Sequence, residues 1–87
     1  MQTKFKRHQL VRILKRPDPE YIEYVEEGDP NFKEMPIKEG MLGRINILLP
    51  NFQYHVAIFD PENKTKIIAY APFEEDDLEE VKEEQNL

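Results

Sequence analysis

The side chains that most often carry out covalent chemistry are scarce in this sequence. It has no serine and no cysteine, and its two histidines, His8 and His55, are far apart in the chain. The hydroxyls of Thr3 and Thr65 have no recognisable motif around them. Nucleophilic catalysis needs a nucleophile beside an oriented base. The sequence therefore predicts a protein without enzyme activity.

The sequence also lacks the usual patterns for metal and phosphate binding. The acidic run over residues 74–80 has neither the glycine nor the alternating oxygen ligands of a calcium loop. Two separated histidines without cysteine do not make a zinc site. The segment G-M-L-G, from Gly40 to Gly43, is too short to surround a phosphate group. We therefore expect no metal and no cofactor.

Side chains suited to binding are concentrated in residues 17–39. This segment has four prolines and three large aromatic side chains, and residues 21–26 within it are compatible with a short strand or one helical turn. Long loops in small domains are often functional, and tyrosine combines an apolar ring with a polar tip. The alternative is that these aromatics fold back to cover a small core. The candidate partner-binding residues are Tyr21, Tyr24, Phe32, Arg12, Lys15, Arg16 and Arg44.

The central stretch from residue 39 to 60 predicts two β-strands joined by a tight turn. Apolar residues alternate with polar ones on both sides of Pro50-Asn51, which is the period of a half-buried strand. Proline and asparagine are typical of the turn between such strands. The side chains expected to face the core are Ile45, Ile47 and Leu49 in the first strand, and Tyr54, Val56 and Ile58 in the second.

Three further strands complete the prediction. Residues 10–14 form the first strand, with Val11 and Ile13 facing inward, and residues 65–71 form a strand that Pro72 ends. A single helical turn over residues 74–78 directs Leu78 inward and precedes a short last strand over residues 79–81. The predicted organisation is a basic lead-in at 1–9, one β domain at 10–81 and an acidic tail at 82–87.

Charge is unevenly distributed along the chain. The 87 residues have a net charge of −6, yet residues 1–16 are basic and residues 74–84 are strongly acidic. The two ends could be docking surfaces of opposite sign, or they could lie side by side and neutralise each other, as cross-strand charges do. The second interpretation is favoured. No apolar run approaches the roughly 18 residues of a membrane span, and no signal peptide is visible, so we expect a cytoplasmic protein without membrane contact.

Three segments resemble parts of the SH3-like β-barrel superfamily. They are Leu10–Leu14, the segment E-G-M-L-G from Glu39 to Gly43 that precedes a strand, and the segment E-D-D-L-E-E-V from Glu75 to Val81. Similar segments occur in small accessory subunits such as photosystem I subunit IV and the variable chain of ferredoxin–thioredoxin reductase. The resemblance implies an all-β fold, a five-stranded SH3-like barrel with a long first loop and one helical turn before the last strand.

The leading functional hypothesis is a non-catalytic protein-interaction module or accessory subunit that docks on a larger protein, as a monomer or a weak homodimer. The alternative is a nucleic-acid-binding barrel. The turn from Gly40 to Ile45 loosely matches that of RNA-contacting members, and Phe5 or His8 could stack on a base. Lys4, Lys6 and Arg7 would then join Arg12, Lys15, Arg16 and Arg44 in a basic patch. The isoelectric point near 4.9 and the acidic tail argue against this alternative.

Overall fold

The computed structural model describes residues 3–83, in which six antiparallel strands form one unclosed sheet. The strands lie in the order β2-β5-β4-β3-β1-β6. Single 3-10 turns at Pro19–Tyr21 and Glu75–Asp77 are the helical segments of this part of the chain. The strand bounds are β1 Leu10–Ile13, β2 Glu23–Tyr24, β3 Leu42–Leu49, β4 Gln53–Asp60, β5 Asn63–Glu74 and β6 Leu78–Glu80.

The six strands confirm the all-β prediction, and their inward side chains form the hydrophobic core. Val11 and Ile13 of β1 are fully buried, as is Leu78, which follows the second 3-10 turn. That turn lies where the sequence predicts a helical turn, although the last strand begins one residue earlier than expected. The buried apolar residues that form one cluster are Phe5, Val11, Ile13, Ile37, Ile45, Tyr54, Val56, Ile58, Ala69, Ala71, Phe73 and Leu78.

The strand number differs from the predicted five because the loop over residues 17–39 contributes β2. Glu23 and Tyr24 pair with Tyr70 and Ala69 of β5, so the loop folds back along the edge of the sheet. The backbone N–H of Val25 extends this pairing by donating to Ile68 O at 3.0 Å. The segment predicted as either a strand or a helical turn contains the end of a 3-10 turn followed by this two-residue strand.

A β-bulge in β3 overturns the predicted burial of Ile47. Ile45 pairs with Val56, but Ile47 pairs with His55, so Asn46 is an extra residue opposite the partner strand. An inserted residue shifts the alternation by one position. Ile47 is therefore on the outer face of the sheet and 48% exposed, whereas Ile45, before the bulge, is buried as predicted.

Strand β5 continues through Pro72, although the sequence predicts that this proline ends the strand. Pro72 pairs with His55 of β4, and the strand runs on to Glu74. Proline has no N–H to donate, and it is tolerated in a sheet where that side of the strand has no partner. Strand β2 pairs only with residues 69 and 70 of β5, so the side of Pro72 opposite β4 is open.

Part of the predicted basic lead-in packs on the sheet. Phe5 is fully buried, with its ring 5.3 Å from that of Tyr54 in an edge-to-face arrangement. The segment is also joined to β3, because His8 N donates to Ile45 O at 2.7 Å. A buried Phe5 cannot stack on a nucleic-acid base. The first two residues of the lead-in and residues 84–87 of the predicted acidic tail lie outside the described residues.

Candidate binding groove

Three of the seven candidate residues line one open groove. Lys15, Arg16 and Tyr21 lie on one wall, and the end of β5 with the 3-10 turn at Glu75–Asp77 forms the other. The groove has a volume of about 500 Å³. It lies beside the tip of the β3–β4 hairpin, because Gln53 at the start of β4 is among its lining residues.

The loop wall is shaped by a 3-10 turn that presents Tyr21 to solvent. Asp18 caps this turn by accepting a 3.0 Å hydrogen bond from Glu20 N through Oδ1, and Tyr21 N donates to Asp18 O at 3.0 Å. Pro19 suits the first position of such a turn because its φ angle is already fixed. Pro17 is buried, which holds the start of the loop in place. The Tyr21 side chain is 60% exposed, so a partner can contact its ring directly.

The opposite wall combines an apolar base with acidic side chains. Pro72 and the buried Phe73 supply the apolar part. Glu74 and Asp77 have a capping-box arrangement, in which Asp77 Oδ2 accepts a 3.4 Å hydrogen bond from Glu74 N. This wall is joined to the first strand's end, because Leu14 N donates to Asp77 O at 2.8 Å.

The groove has both acidic and basic side chains, and they differ in whether they already interact with other groups of the chain. Two of its three acidic side chains are engaged as caps: Asp18 accepts a hydrogen bond from the loop backbone, and Asp77 accepts one from Glu74 N. Within residues 3–83, Lys15 and Arg16 form no ion pair. A bound partner could therefore engage these two cations without displacing an existing salt bridge.

Tyr24 and Phe32 lie apart from the exposed wall. Their rings are 5.4 Å apart, and the Tyr24 hydroxyl donates a 2.8 Å hydrogen bond to Met35 O. Burial raises the pKa of Tyr24, and the nearby Glu34 carboxylate raises it further. Tyr24 also packs against the hydrophobic core. Tyr24 therefore covers part of the core and Phe32 packs on Tyr24, which is the alternative role considered from the sequence for Tyr24.

Arg12 and Arg44 are engaged on the outer face of the sheet. Arg12 lies opposite Glu79 across the β1–β6 pair, with Nε 3.2 Å from Glu79 Oε1. Arg44 is paired with Glu83 and also donates to His8 O at 2.9 Å. The hydrogen bonds that Arg44 donates to Glu83 raise the pKa of Arg44 and lower the pKa of Glu83. The basic beginning and acidic end of the chain thus lie side by side, as the favoured interpretation predicts.

Sequence reasoning missed the groove residues on the second wall. The sequence indicates only the end of a strand at Pro72 and an acidic helical turn that includes Asp77. The available signal was the proline and aromatic pair directly before a helical turn. Its significance depends on the loop at residues 15–21 lying opposite, which only the folded chain reveals.

The histidines take structural positions. His55 Nδ1 is 3.0 Å from Asn46 Nδ2, and its ring stacks on Tyr70 with centroids 5.3 Å apart. His8 is exposed and has a left-handed backbone, with φ of 69°. Over residues 3–83, His, Asp and Glu side chains do not gather in a group of three that could hold a metal ion.

No helix in the described part of the chain has the length and apolar character that crossing a lipid bilayer requires. Comparison of the whole sequence with protein families and with characterised proteins, and of the fold with solved structures, gave no match.

Proposed function

We propose that this chain is a non-catalytic protein-interaction module, an SH3-like barrel that docks on a larger protein as an accessory subunit. The observation that carries the proposal is the groove in which Lys15, Arg16 and the exposed Tyr21 face Pro72 and Phe73. These side chains combine an aromatic contact, an apolar base and two cations that form no ion pair with the described residues 3–83. The absence of serine and cysteine from the sequence supports the non-catalytic part of the proposal.

The strand connectivity supports the SH3-like part. Strand β1 pairs with both β3 and β6, so the last strand returns beside the first. A single 3-10 turn separates β5 from β6, and the segment between β1 and β3 is long, with only one 3-10 turn and the two-residue strand β2 within it. These are the features that the sequence resemblance implies. Strand β2 then represents an addition made by the long first loop.

The groove would divide the work of binding between apolar and charged side chains. Tyr21 offers a large ring with few rotatable bonds, which is typical of residues that dominate interface energies. Lys15 and Arg16 would orient a partner and increase its rate of encounter. Tyr24 and Phe32 would act indirectly by holding the loop, and Arg12 and Arg44 would remain in their ion pairs.

Affinity capture with the tagged chain tests this proposal. The capture is done from a lysate of the source organism at moderate salt, with and without nuclease, and bound proteins are identified by mass spectrometry. The groove variant combines Lys15→Glu, Arg16→Glu and Tyr21→Ala. The control variant combines Lys33→Glu and Lys64→Glu, which makes the same change in charge at exposed positions outside the groove. Circular dichroism verifies that both variants fold.

The proposal predicts one or two stoichiometric proteins that survive nuclease, remain with the control variant and are lost with the groove variant. Equal capture by the groove variant and the wild type would exclude this groove. Ribosomal or nucleoid proteins that disappear after nuclease treatment would instead support the nucleic-acid alternative. Capture that falls equally with both variants would indicate a nonspecific effect of charge, and the proposed docking site would be rejected.

A further inference from the structure

The end of the β3–β4 hairpin exposes a group of large apolar side chains outside the groove. Ile47 is 48% exposed, Leu48 is 39% exposed and Phe52 is 37% exposed; we call these three residues the hairpin patch. They lie in a run from Ile45 to Phe59 that has no charged residue, in a chain of which 34% is charged. An uncharged apolar surface of this kind on a small domain usually marks an interaction site.

The hairpin patch occupies both faces of the hairpin. Ile47 pairs with His55 on the outer face of the sheet, whereas Leu48 pairs with Tyr54, whose side chain points into the core. Strands that are apolar on both faces are typical of sheets covered on both sides. Here neither side chain is fully covered by the chain's own residues, so the pattern fits a surface that a second molecule completes.

The turn itself holds Phe52 in an unfavourable backbone conformation. Asn51 and Phe52 have φ angles of 62° and 58°, and Gln53 N donates to Pro50 O at 3.4 Å. A turn with two positive φ angles favours asparagine followed by glycine. A bulky side chain in the second position is disfavoured because its Cβ crowds the backbone. An aromatic residue is therefore present where glycine would suit the fold better, as occurs at functional positions.

The edges of the sheet are poorly suited to pairing with a second copy. Strand β6 has only three residues, and two of them, Glu79 and Glu80, are acidic. The exposed part of β5 carries Lys64 and Lys66, and lysines on edge strands oppose pairing between copies. Across the rest of its surface, a chain of net charge −6 repels its own copies. The hairpin patch avoids this repulsion because it is uncharged.

We propose that two copies of this chain associate through their hairpin patches in a symmetric dimer. In such a dimer each copy contributes the same surface, which an uncharged apolar patch can do without placing like charges opposite each other. Stable interfaces bury about 800 Å² per partner. Three partly exposed side chains provide less than this, so the dimer is weak and forms at high protein concentration.

Sedimentation equilibrium of the full chain tests the proposal, over concentrations from about 10 µM to about 1 mM. We expect the average mass to rise from 10.4 kDa toward twice that value, and to rise further with added salt because screening reduces the repulsion between copies. Phe52→Gly should weaken association by about tenfold or more while raising the melting temperature, because glycine suits the positive φ. Ile47→Thr should weaken association independently of the turn.

Two control variants show whether association depends on the hairpin patch in particular. Val25→Thr changes an exposed apolar side chain outside the hairpin and should leave association unchanged. Tyr21→Ala should also leave it unchanged, so the dimer and the proposed docking groove are tested separately. A wild-type chain that stays monomeric at about 1 mM overturns the proposal. So does association that persists in both hairpin variants, or that is lost with Tyr21→Ala.

Discussion

The buried hydroxyl of Tyr54 donates a 2.6 Å hydrogen bond to Glu75 Oε2. The same hydroxyl accepts a 3.3 Å hydrogen bond from Phe5 N, and Glu75 Oε2 accepts one of 3.2 Å from Lys4 N. One tyrosine from β4 and one glutamate from the 3-10 turn thus hold two consecutive backbone N–H groups of the N-terminal segment. We call these three hydrogen bonds the Tyr54–Glu75 relay. The relay explains how a basic, polar segment places Phe5 in the core.

Removing the hydroxyl in Tyr54→Phe should destabilise the fold. The substitution leaves the Phe5 N–H without its acceptor in a buried place, and it removes the donor to Glu75. The expected loss is about 1–3 kcal/mol in the free energy of unfolding, measured by urea denaturation. Tyr70→Phe is the matched control, because no hydrogen bond of the Tyr70 hydroxyl occurs within residues 3–83. Equal stability of Tyr54→Phe and wild type would mean that the relay does not stabilise the fold.

The relay also predicts how stability depends on acid. The Tyr54 hydroxyl, and then the Lys4 N–H, hold the pKa of Glu75 below its ordinary value of 4.5. A folded state with the lower pKa binds fewer protons than the unfolded state, so stability rises with pH in this range. The contribution of Glu75 is present above about pH 4.5 and is lost as the pH falls through the lowered value.

Urea denaturation between about pH 3 and pH 6 measures this dependence. Glu75→Gln should be less stable than wild type at the upper end of the range, and the difference should shrink toward the lower end. Glu83 has a pKa lowered by Arg44, so some acid sensitivity should persist in Glu75→Gln and decrease further when Glu83→Gln is added. A constant difference between Glu75→Gln and wild type across the range would contradict this account.

Gly43→Ala should be strongly destabilising because β3 and β4 approach closely at this position. A Cβ on Gly43 would be 2.5 Å from the backbone oxygen of Ala57 and 2.8 Å from a methyl group of Val56. Forcing an extra methyl group into a close-packed core costs about 1–3 kcal/mol, and here a backbone atom would have to move. Thermal and urea denaturation both measure the loss.

Gly28→Ala is the matched control for this substitution. A Cβ at Gly28 has no neighbour within 4 Å among residues 3–83, and its backbone does not require glycine. Reduced freedom of the unfolded chain should leave this variant as stable as wild type or more stable by about 0.4–1 kcal/mol. Gly43→Ala and Gly28→Ala of similar stability would show that the two strands can separate at Gly43 at little cost.

The two tyrosines of the first loop should separate binding from stability. Tyr21 is exposed in the groove, so Tyr21→Ala should change the free energy of unfolding by no more than about 0.5 kcal/mol. Tyr24→Ala removes a ring that packs on the core, on Phe32 and through its hydroxyl on Met35, and should cost about 2–4 kcal/mol. Urea denaturation of the two variants measures both values. A larger loss for Tyr21→Ala would assign Tyr21 a structural role and weaken the proposed docking site.

The central hairpin could be predicted from sequence because its apolar alternation is strong and a turn separates the two halves. Tyr54, Val56 and Ile58 are buried as that pattern requires. The failure at Ile47 has a definite cause: a bulge changes the alternation without leaving a glycine or proline to mark it. Asn46 is an ordinary polar residue within a strand, so no local signal indicates a break there.

The candidate site could be predicted only in part because it is assembled from distant segments. Lys15, Arg16 and Tyr21 lie close together in sequence, and their grouping on one wall follows from that. Their separation from Arg12 and Arg44 depends on ion pairs with Glu79 and Glu83, which are formed only when β6 returns beside β1. Local sequence indicates which residue types are available, whereas the pairing of β1 with β6 decides which cations form ion pairs within residues 3–83.

The bulge at Asn46 has a consequence for how this surface could arise or disappear in evolution. Deletion of the Ile47 codon would remove the bulge and place Asn46 opposite His55, so a polar side chain would take the outer position of Ile47 while the core residues keep theirs. The apolar end of the hairpin could therefore be gained or lost by one in-frame insertion or deletion. Two chains of nearly identical composition could then differ in whether they self-associate, and an alignment that scores only substitutions would not detect the difference.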